Sequence, residues 1–164
     1  MKRTSFADMD CSIARTLEVI GEWWTMLILR EAFNGVRRFD GFQERLGIAR
    51  NVLAARLQGL VDHGILERRL YQERPERYEY RLTDKGRDLY PVLISLMHWG
   101  DKWTAGEDGP PVRLKHEACG HDPEPMLACS NCGGELQPRE VRVFRRDGTP
   151  GIAGERAPHE MAAG

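Results

Sequence analysis

The sequence predicts a mainly α-helical fold that carries a small β-wing and is followed by a small C-terminal zinc-ribbon-like module. Three observations predict it. Two short amphipathic helices are joined by a tight turn, two β-rich segments flank a charged loop, and four cysteine or histidine residues form two equally spaced pairs. At 164 residues the chain is long enough for one hydrophobic core and a small appendage.

The two helices lie between residues 39 and 64. The first places Phe39, Phe42 and Leu46 on one face and ends in a turn at residues 47–49. The second repeats apolar residues at helical spacing and closes at Gly64. Its apolar stripe consists of Leu53, Leu57, Leu60 and Val61. This spacing predicts two helices that each bury one face.

Two β-rich segments, residues 65–71 and 78–83, follow the second helix and flank the loop sequence QERPER. The order helix, turn, helix, strand, loop, strand is that of a winged helix-turn-helix. In such a protein the second helix can lie in the major groove of DNA. We therefore predict double-stranded DNA as a partner.

The outward face of the second helix carries residue types that read DNA. Asn51 and Gln58 suit the edges of adenine, whereas Arg50 in the first turn and Arg56 on the flank suit guanine or phosphate. The alternative is an ordinary amphipathic helix with a solvated polar face. The wing beside this helix favours the DNA-binding interpretation.

Arginines concentrate on the predicted wing. Arg74 and Arg77 bracket Pro75 at the loop tip, and a stiff loop with arginines suits contact with phosphate or the minor groove. The alternative is a charged hairpin that is only solvated surface. That alternative stays open for three arginines of the strands, Arg68, Arg69 and Arg81.

Several further segments occur here in the same order as in one known protein family. They include residues 11–17 (CSIARTL), 20–31 (IGEWWTMLILRE), 51–57 (NVLAARL), 64–69 (GILERR), 79–86 (EYRLTDKG) and 99–103 (WGDKW). Through them, residues 9–105 resemble the HxlR-type winged-helix transcriptional regulators of prokaryotes, which are MarR-like. The resemblance implies a combined DNA-binding and dimerisation domain over this range, with repression the commoner outcome.

One position departs from that family. Ala49 stands where a serine often caps the recognition helix. Asn51 would then serve as the cap in its place, which would remove it from contact with a base.

The first and last helices carry more apolar surface than a short winged domain buries. The residues are Leu17, Ile20, Trp23, Trp24, Leu27, Ile28, Leu89, Val92, Leu93, Leu96, Trp99 and Trp103. The last helix is predicted over residues 84–103 with Thr83 as its N-cap, and Pro91 predicts a kink or a late start. We predict a homodimer, since a palindromic operator requires twofold protein symmetry. The alternative is an intramolecular core around the two tryptophan clusters.

Cys11 lies near the predicted start of a helix, where the amide dipoles lower the pKa of a thiol. Some regulators of the resembled family sense oxidants through a cysteine in this region. Cys11 is therefore a candidate redox-sensing residue. The alternative is a small buried residue, which is common for cysteine.

The C-terminal third is predicted to be a separate unit behind a linker at residues 106–112. His116 and Cys119 have the same spacing as Cys129 and Cys132, and the four side chains together would suit a structural zinc ion. His121 is a competing imidazole, and a redox dithiol at the second pair is the alternative. We predict a zinc-binding module over residues 113–145, completed by a β-rich segment at 140–145, and a disordered tail over 146–164.

Composition limits the possible functions. The net charge is −1, divided as +2 over residues 1–106 and −3 over residues 107–164, so DNA contact has to come from a local patch. No apolar run could span a bilayer and the first ten residues lack a signal peptide's apolar middle, so we predict a soluble cytoplasmic protein without membrane contact.

The sequence also lacks the motifs of common enzymes. There is no GxGxxG after a strand, no phosphate loop, no GxSxG and no HExxH, so an enzyme is not expected. The sequence therefore predicts a DNA-binding transcriptional regulator, most simply an operator-binding repressor, with a small-molecule or redox effector. The alternative is a winged-helix protein-interaction or redox-sensing adaptor that uses Cys11 or the C-terminal cysteines.

Overall fold

The computed structural model describes residues 5–6 and 8–151 of the chain. Within that part, six helices and two strands follow one another along the chain. They are α1 (Ser12–Ile20), α2 (Trp23–Phe33), α3 (Phe39–Leu46), α4 (Arg50–Asp62), β1 (Leu66–Glu73), β2 (Glu76–Leu82), α5 (Asp84–Arg87) and α6 (Tyr90–Trp103). The predicted mainly helical fold with a two-stranded wing is confirmed.

The turn between α3 and α4 is formed as the sequence predicts. Gly47 ends α3 with a φ of 61°, in the left-handed region that glycine adopts at little cost. Ala49 is the N-cap of α4 and makes no side-chain hydrogen bond there. The prediction that Asn51 takes over the cap is wrong, because Asn51 is the second residue of the helix and exposed.

The core lies where α2, α3 and α4 meet the wing. Phe42, Leu53 and Leu57 are fully buried, and Leu60 is nearly so. Val61, the remaining residue of the predicted stripe, is partly buried against the same cluster. The apolar spacing of the two helices therefore predicted the buried faces correctly.

The wing is longer and its tip tighter than the sequence suggested. Antiparallel pairing runs from Leu66 opposite Leu82 to Glu73 opposite Glu76, which leaves a two-residue tip at residues 74–75. Pairing of backbone groups thus continues through the charged residues of the loop sequence. A register shift next to Tyr71 marks a bulge in β1.

The predicted last helix is divided into α5 and α6. Thr83 caps α5 as predicted, since the backbone N–H of Gly86 donates to its hydroxyl at 3.1 Å. Pro91 stands in the first turn of α6, where its missing N–H leaves no helical hydrogen bond unmade. The predicted late start of the helix is confirmed.

The chain divides into two compact units, Met1–Pro111 and Val112–Gly164. The described part of the second unit is irregular, with isolated bridges between Ala128 and Glu135 and between Phe144 and Pro150. The predicted strand at residues 140–145 is therefore wrong beyond the bridge at Phe144. Hydrogen bonds from Arg145 to Thr149 and from Gly151 to Val143 continue the ordered turn into the predicted tail, whose residues 152–164 lie outside the described part.

Candidate nucleic-acid interface and cysteine module

The exposed face of α4 combines small residues with hydrogen-bonding side chains. Arg50, Asn51, Ala54, Ala55 and Gln58 are exposed on this helix, opposite its buried leucines. Burial of the leucine stripe therefore fixes which side chains α4 presents to solvent. The exposed residue types include those that hydrogen-bond base edges in other DNA-binding helices.

Arg50 is oriented by its neighbours on α3. Its guanidinium lies over the ring of Phe39, 4.7 Å from the centroid, and 3.9 Å from a carboxylate oxygen of Asp40. The side chain is still 72% exposed. Arg50 is thus positioned at the junction of the two helices with free donors for a DNA partner.

Asn51 and Gln58 differ in their present partners. The amide of Gln58 donates to Asp62 at 2.7 Å, one helical turn away. The side chain of Asn51 has no hydrogen bond to any other residue that the structure describes. Asn51 can thus meet a base without breaking a contact, whereas Gln58 has to release Asp62.

Arg56 is partly buried and already has a partner within the first unit. It forms an ion pair with Glu22 at 2.9 Å, and only 30% of its side chain is exposed. Its Nε is buried and has no hydrogen-bond partner among the described residues. This geometry favours a role for Arg56 in joining α4 to the start of α2 over a role in contacting DNA.

The wing presents its two predicted arginines at different levels. Arg74 is exposed at the tip, where its carbonyl accepts a hydrogen bond from the amide of Gln72 at 3.1 Å. Arg77 is exposed on β2 opposite Gln72, below the tip rather than on it. Both remain available to a neighbouring phosphate backbone.

Two aromatic residues of the wing pack against other arginines. Arg68 lies over the ring of Tyr78 at 3.9 Å, and the hydroxyl of Tyr78 donates to Glu76 at 2.8 Å. That hydrogen bond to Glu76 is the main cause that raises the pKa of Tyr78. Arg38 stacks over Tyr71 at 4.6 Å. The first of these pairs gives Arg68 an intramolecular role, in line with the alternative kept open for it.

A buried carboxylate that the sequence did not single out joins α2 to α3. Glu31 is 5% exposed and accepts hydrogen bonds from Arg30 at 2.9 Å and from Arg45 at 3.3 Å. A charge buried this deeply requires such partners. The signal available in the sequence was a glutamate inside the apolar run of α2, but its partner on α3 is 14 residues away.

Three of the four tryptophans lie outside the core, whereas Trp24 is partly buried against it. Trp23 is 89% exposed, Trp99 58% and Trp103 66%, and no residue of α6 is fully buried. The intramolecular alternative is therefore wrong for these three residues within the first unit. Further large apolar side chains exposed on α1, α2 and α6 are Ile13, Leu17, Leu27, Val92 and Leu96.

Cys11 occupies the N-cap position of α1 and is partly exposed. Its side chain makes no capping hydrogen bond, and Asp10 beside it is paired with Arg15 at 2.7 Å. Cys11 therefore has a partly solvent-exposed position at the start of the helix.

The second unit contains both predicted ligand pairs as local turns. The Nδ1 of His116 lies 3.2 Å from the sulfur of Cys119. Cys129 and Cys132 share a knuckle closed by a hydrogen bond from Gly133 to the carbonyl of Cys129 at 2.8 Å. Backbone N–H groups of Cys132 and Asn131 lower the pKa of the Cys129 thiol, which favours the thiolate that metals and oxidants require.

The two pairs are not brought to one point. Among the residues that the structure describes, no three His, Cys, Asp or Glu side chains are grouped as a metal ion would require. The donor chemistry of His116, Cys119, Cys129 and Cys132 fits zinc, but the observed arrangement leaves the two pairs apart and does not form one tetrahedral set.

These features define a winged helix-turn-helix protein, with α3 and α4 as its helical pair and β1 and β2 as its wing. The HxlR-like helix-turn-helix profile matches residues 19–108. The chain belongs to that family.

Relatives of known sequence are transcriptional regulators. An HTH-type transcriptional regulator of Mycobacterium tuberculosis (strain ATCC 25618 / H37Rv), itself uncharacterized, is 49% identical over 130 residues, which are 79% of this chain and 82% of that protein. Another, sll1512 of Synechocystis, is 39% identical over 98 residues, 59% of this chain and 73% of that protein. The mycobacterial match is longer than the first unit, so it reaches into the second.

Solved structures agree with this assignment. PA1607 is 42% identical and superposes with a TM-score of 0.78, over 87% of this chain and 99% of its own. The redox regulator HypR in its oxidized form is 32% identical, with a TM-score of 0.52 over 56% of this chain and 96% of its own. The chain is thus a DNA-binding transcriptional regulator and not an enzyme. Within residues 5–6 and 8–151, no helix is long and apolar enough to cross a membrane.

Proposed function

We propose that the protein is a cytoplasmic, homodimeric repressor that binds a specific operator through α4 and the wing. The observation that carries this proposal is the exposed face of α4, where Arg50 and Asn51 stand with free donors beside an arginine-bearing wing. Base contacts from the helix supply sequence preference, whereas contacts from the wing supply sequence-independent affinity. A repressor would act by covering DNA that the polymerase needs.

The roles within the interface follow from the partners that each side chain already has. Arg50, Asn51 and Gln58 are proposed to contact bases, and Gln58 exchanges its bond to Asp62 for the base. Arg74 and Arg77 are proposed to contact phosphates. Arg56 is left out of the interface because its ion pair to Glu22 already uses its guanidinium.

The two sets of residues are expected to respond differently to alanine substitution. Arg50→Ala, Asn51→Ala or Gln58→Ala should each cost about 1–3 kcal/mol on the operator if the contact is to a base, and much less on random DNA. Arg74→Ala or Arg77→Ala should weaken binding to both DNAs alike and lower the salt slope by about 0.9 for each phosphate that is no longer bound. Titrations of both duplexes at several salt concentrations measure these effects.

Arg142→Ala is the matched control, because Arg142 is an exposed arginine of the second unit. It should leave affinity and salt slope at the parent's values. If all three α4 variants prefer operator over random DNA as strongly as the parent does, then α4 does not contact bases. Transcription in vitro from the operator-bearing promoter should fall as protein is added, and a rise would make the protein an activator.

The dimer is proposed from the exposed apolar side chains of α1, α2 and α6. A monomer in water would leave Trp23, Trp99 and Trp103 solvated, and burial of apolar surface contributes about 25 cal/mol per Å². A twofold axis through these helices would also give each palindromic half-site its own α4.

We propose Cys11 as the residue through which a redox effector acts. It is partly exposed at the start of α1, one of the helices proposed to form the dimer. A peroxide would oxidise the thiolate to sulfenic acid and be reduced to water or hydroxide. The expected result is that peroxide changes operator affinity in the parent and leaves it constant in Cys11→Ser, and an equal response in both would exclude Cys11.

We propose further that the second unit binds one structural zinc ion with His116, Cys119, Cys129 and Cys132. Both residue pairs already form local turns. Binding one ion with all four side chains would require only that the two turns approach each other. Few apolar side chains in the described part of this unit are buried, so metal binding would supply much of its folding free energy.

Elemental analysis is expected to find one zinc per chain in protein purified without added metal. A chelator should then make residues 113–145 sensitive to protease while the first unit stays resistant. Cys132→Ser should lower the zinc content, whereas Cys11→Ser, a cysteine of the other unit, should not. Zinc well below one per chain, together with digestion that ignores the chelator, would favour a redox dithiol at Cys129 and Cys132 instead.

A further inference from the structure

A cleft in the first unit has a chemical character that the proposed DNA contacts do not use. It has a volume of about 630 Å³ and lies between the C-terminal end of α2, the base of the wing and α5. Small-molecule sites in proteins usually have volumes of about 300–1,000 Å³. The cleft is therefore large enough for a metabolite-sized ligand.

More positive than negative side chains line the cleft. Four arginines and two acidic residues line it, namely Arg37, Arg69, Arg81, Arg87, Glu67 and Asp84. Three of the arginines have carboxylate partners: Arg69 pairs with Glu67, Arg81 with Glu79, and Arg87 with Asp84. Arg37 has no ion pair or side-chain hydrogen bond within the part of the chain that the structure describes.

Arg37 is fixed at its backbone and free at its guanidinium. The N–H of Tyr80 donates to the carbonyl of Arg37 at 2.7 Å, which ties this residue to the edge of the wing sheet. An arginine guanidinium presents a planar fork of donors that matches a carboxylate in a bidentate arrangement. One uncompensated cation therefore faces the cleft from a stable position.

The remainder of the lining is partly apolar. Phe33 and Leu82 contribute to it, and Phe33 is held in place by the ring of Tyr90, 5.1 Å away between centroids. Glu67 and Asp84 are already paired with Arg69 and Arg87, which leaves the guanidinium of Arg37, among the described residues of the lining, as the one charge for a ligand to neutralise. The cleft thus favours one negative charge attached to an apolar body.

We propose that this cleft binds a small organic monoanion, a carboxylate with an apolar body. The carboxylate pairs with the guanidinium of Arg37, and the body lies against Phe33 and Leu82. The ligand would contact the wing and α5, the segment that leads into α6, so its binding would favour one arrangement of these elements. An effector role for the ligand rests on the proposed operator binding, whereas the binding site itself does not.

Benzoate is a suitable probe, with acetate and benzamide as its partial analogues. Calorimetry, together with NMR of the arginine Nε–H groups, should show saturable binding of benzoate and a shift of the Arg37 signal. Acetate lacks the apolar body and benzamide lacks the charge, so each should bind at least about tenfold more weakly, as should benzoate to Arg37→Gln. The matched control is Arg68→Gln, because Arg68 lies over Tyr78 and does not line the cleft.

Two results would overturn the proposal. Equal affinity of benzoate for the parent and for Arg37→Gln would remove the carboxylate contact, and equal affinity for acetate and benzoate would leave a bare anion site. The ligand-free Arg37→Gln variant should bind operator as the parent does. A weaker affinity with a lower salt slope would instead assign Arg37 to a DNA phosphate. Loss of operator binding in the parent itself would contradict the proposed function while leaving the benzoate result standing.

Discussion

Replacing Phe42 with alanine should lower the free energy of unfolding of the first unit by about 3–5 kcal/mol. Phe42 has no exposed surface and is the buried residue of α3. It packs into the cluster that also holds Leu53 and Leu57 of α4. The substitution would leave a cavity at the point where the two helices of the DNA-binding pair meet. Because domains of this size are stable by only about 5–15 kcal/mol, much of the protein should unfold on mild heating.

Urea unfolding followed by circular dichroism measures this loss. Phe144→Ala removes the same side chain from the second unit, where Phe144 is 59% exposed, and should change the stability by less than about 0.5 kcal/mol. A loss below about 1 kcal/mol for Phe42→Ala would show that α3 is not anchored by this residue. Operator binding should fail at the temperature at which the variant unfolds and not below it.

What the sequence could predict was local. The spacing of Phe42, Leu53 and Leu57 gave both the two helices and their buried faces, because helical periodicity repeats within a few residues. The N-cap at Thr83 and the start of α6 beside Pro91 likewise depend only on residues close by in the sequence. The wing strands grew beyond their predicted ends because cross-strand pairing, and not the polarity of each residue, decides where a hairpin stops.

What the sequence could not predict was the pairing of distant charges. The sequence predicts Arg56 as a DNA contact, and its ion pair with Glu22 becomes visible only when α2 is packed beside α4. In the sequence, Arg37 is one basic residue among many. Only the fold separates it from the other arginines of the cleft, because it gives each of those a carboxylate partner.

The cysteine module shows the same difference between local features, which the sequence predicts, and long-range contacts, which it does not. Equal spacing of two residue pairs predicts two local turns, and both turns are present. Whether the turns meet depends on the chain between residues 119 and 129, which has no strong structural signal of its own. Local spacing therefore predicts the two turns and the candidate ligand types, but not whether the two pairs meet.

Replacing Trp99 with glutamate should abolish the proposed dimer while leaving the fold of each protomer intact. Trp99 lies on α6 and is 58% exposed, so more than half of its surface is already in solvent in the protomer. In a dimer joined through α6, a glutamate at this position would be a buried charge without a partner, which costs several kcal/mol. Sedimentation equilibrium should show at least about a hundredfold weaker association.

Operator affinity should fall much further than the loss of any single contact would cause. In a dimer, the second α4 meets its half-site at an effective concentration in the millimolar range, an advantage of about 10²–10⁴ in affinity that a monomer loses. Val141→Glu places the same charge on an exposed apolar residue of the second unit and should leave both association and operator affinity unchanged. If Trp99→Glu remains a dimer with the parent's affinity for operator, α6 is not the dimer interface, and the exposed tryptophans require another partner.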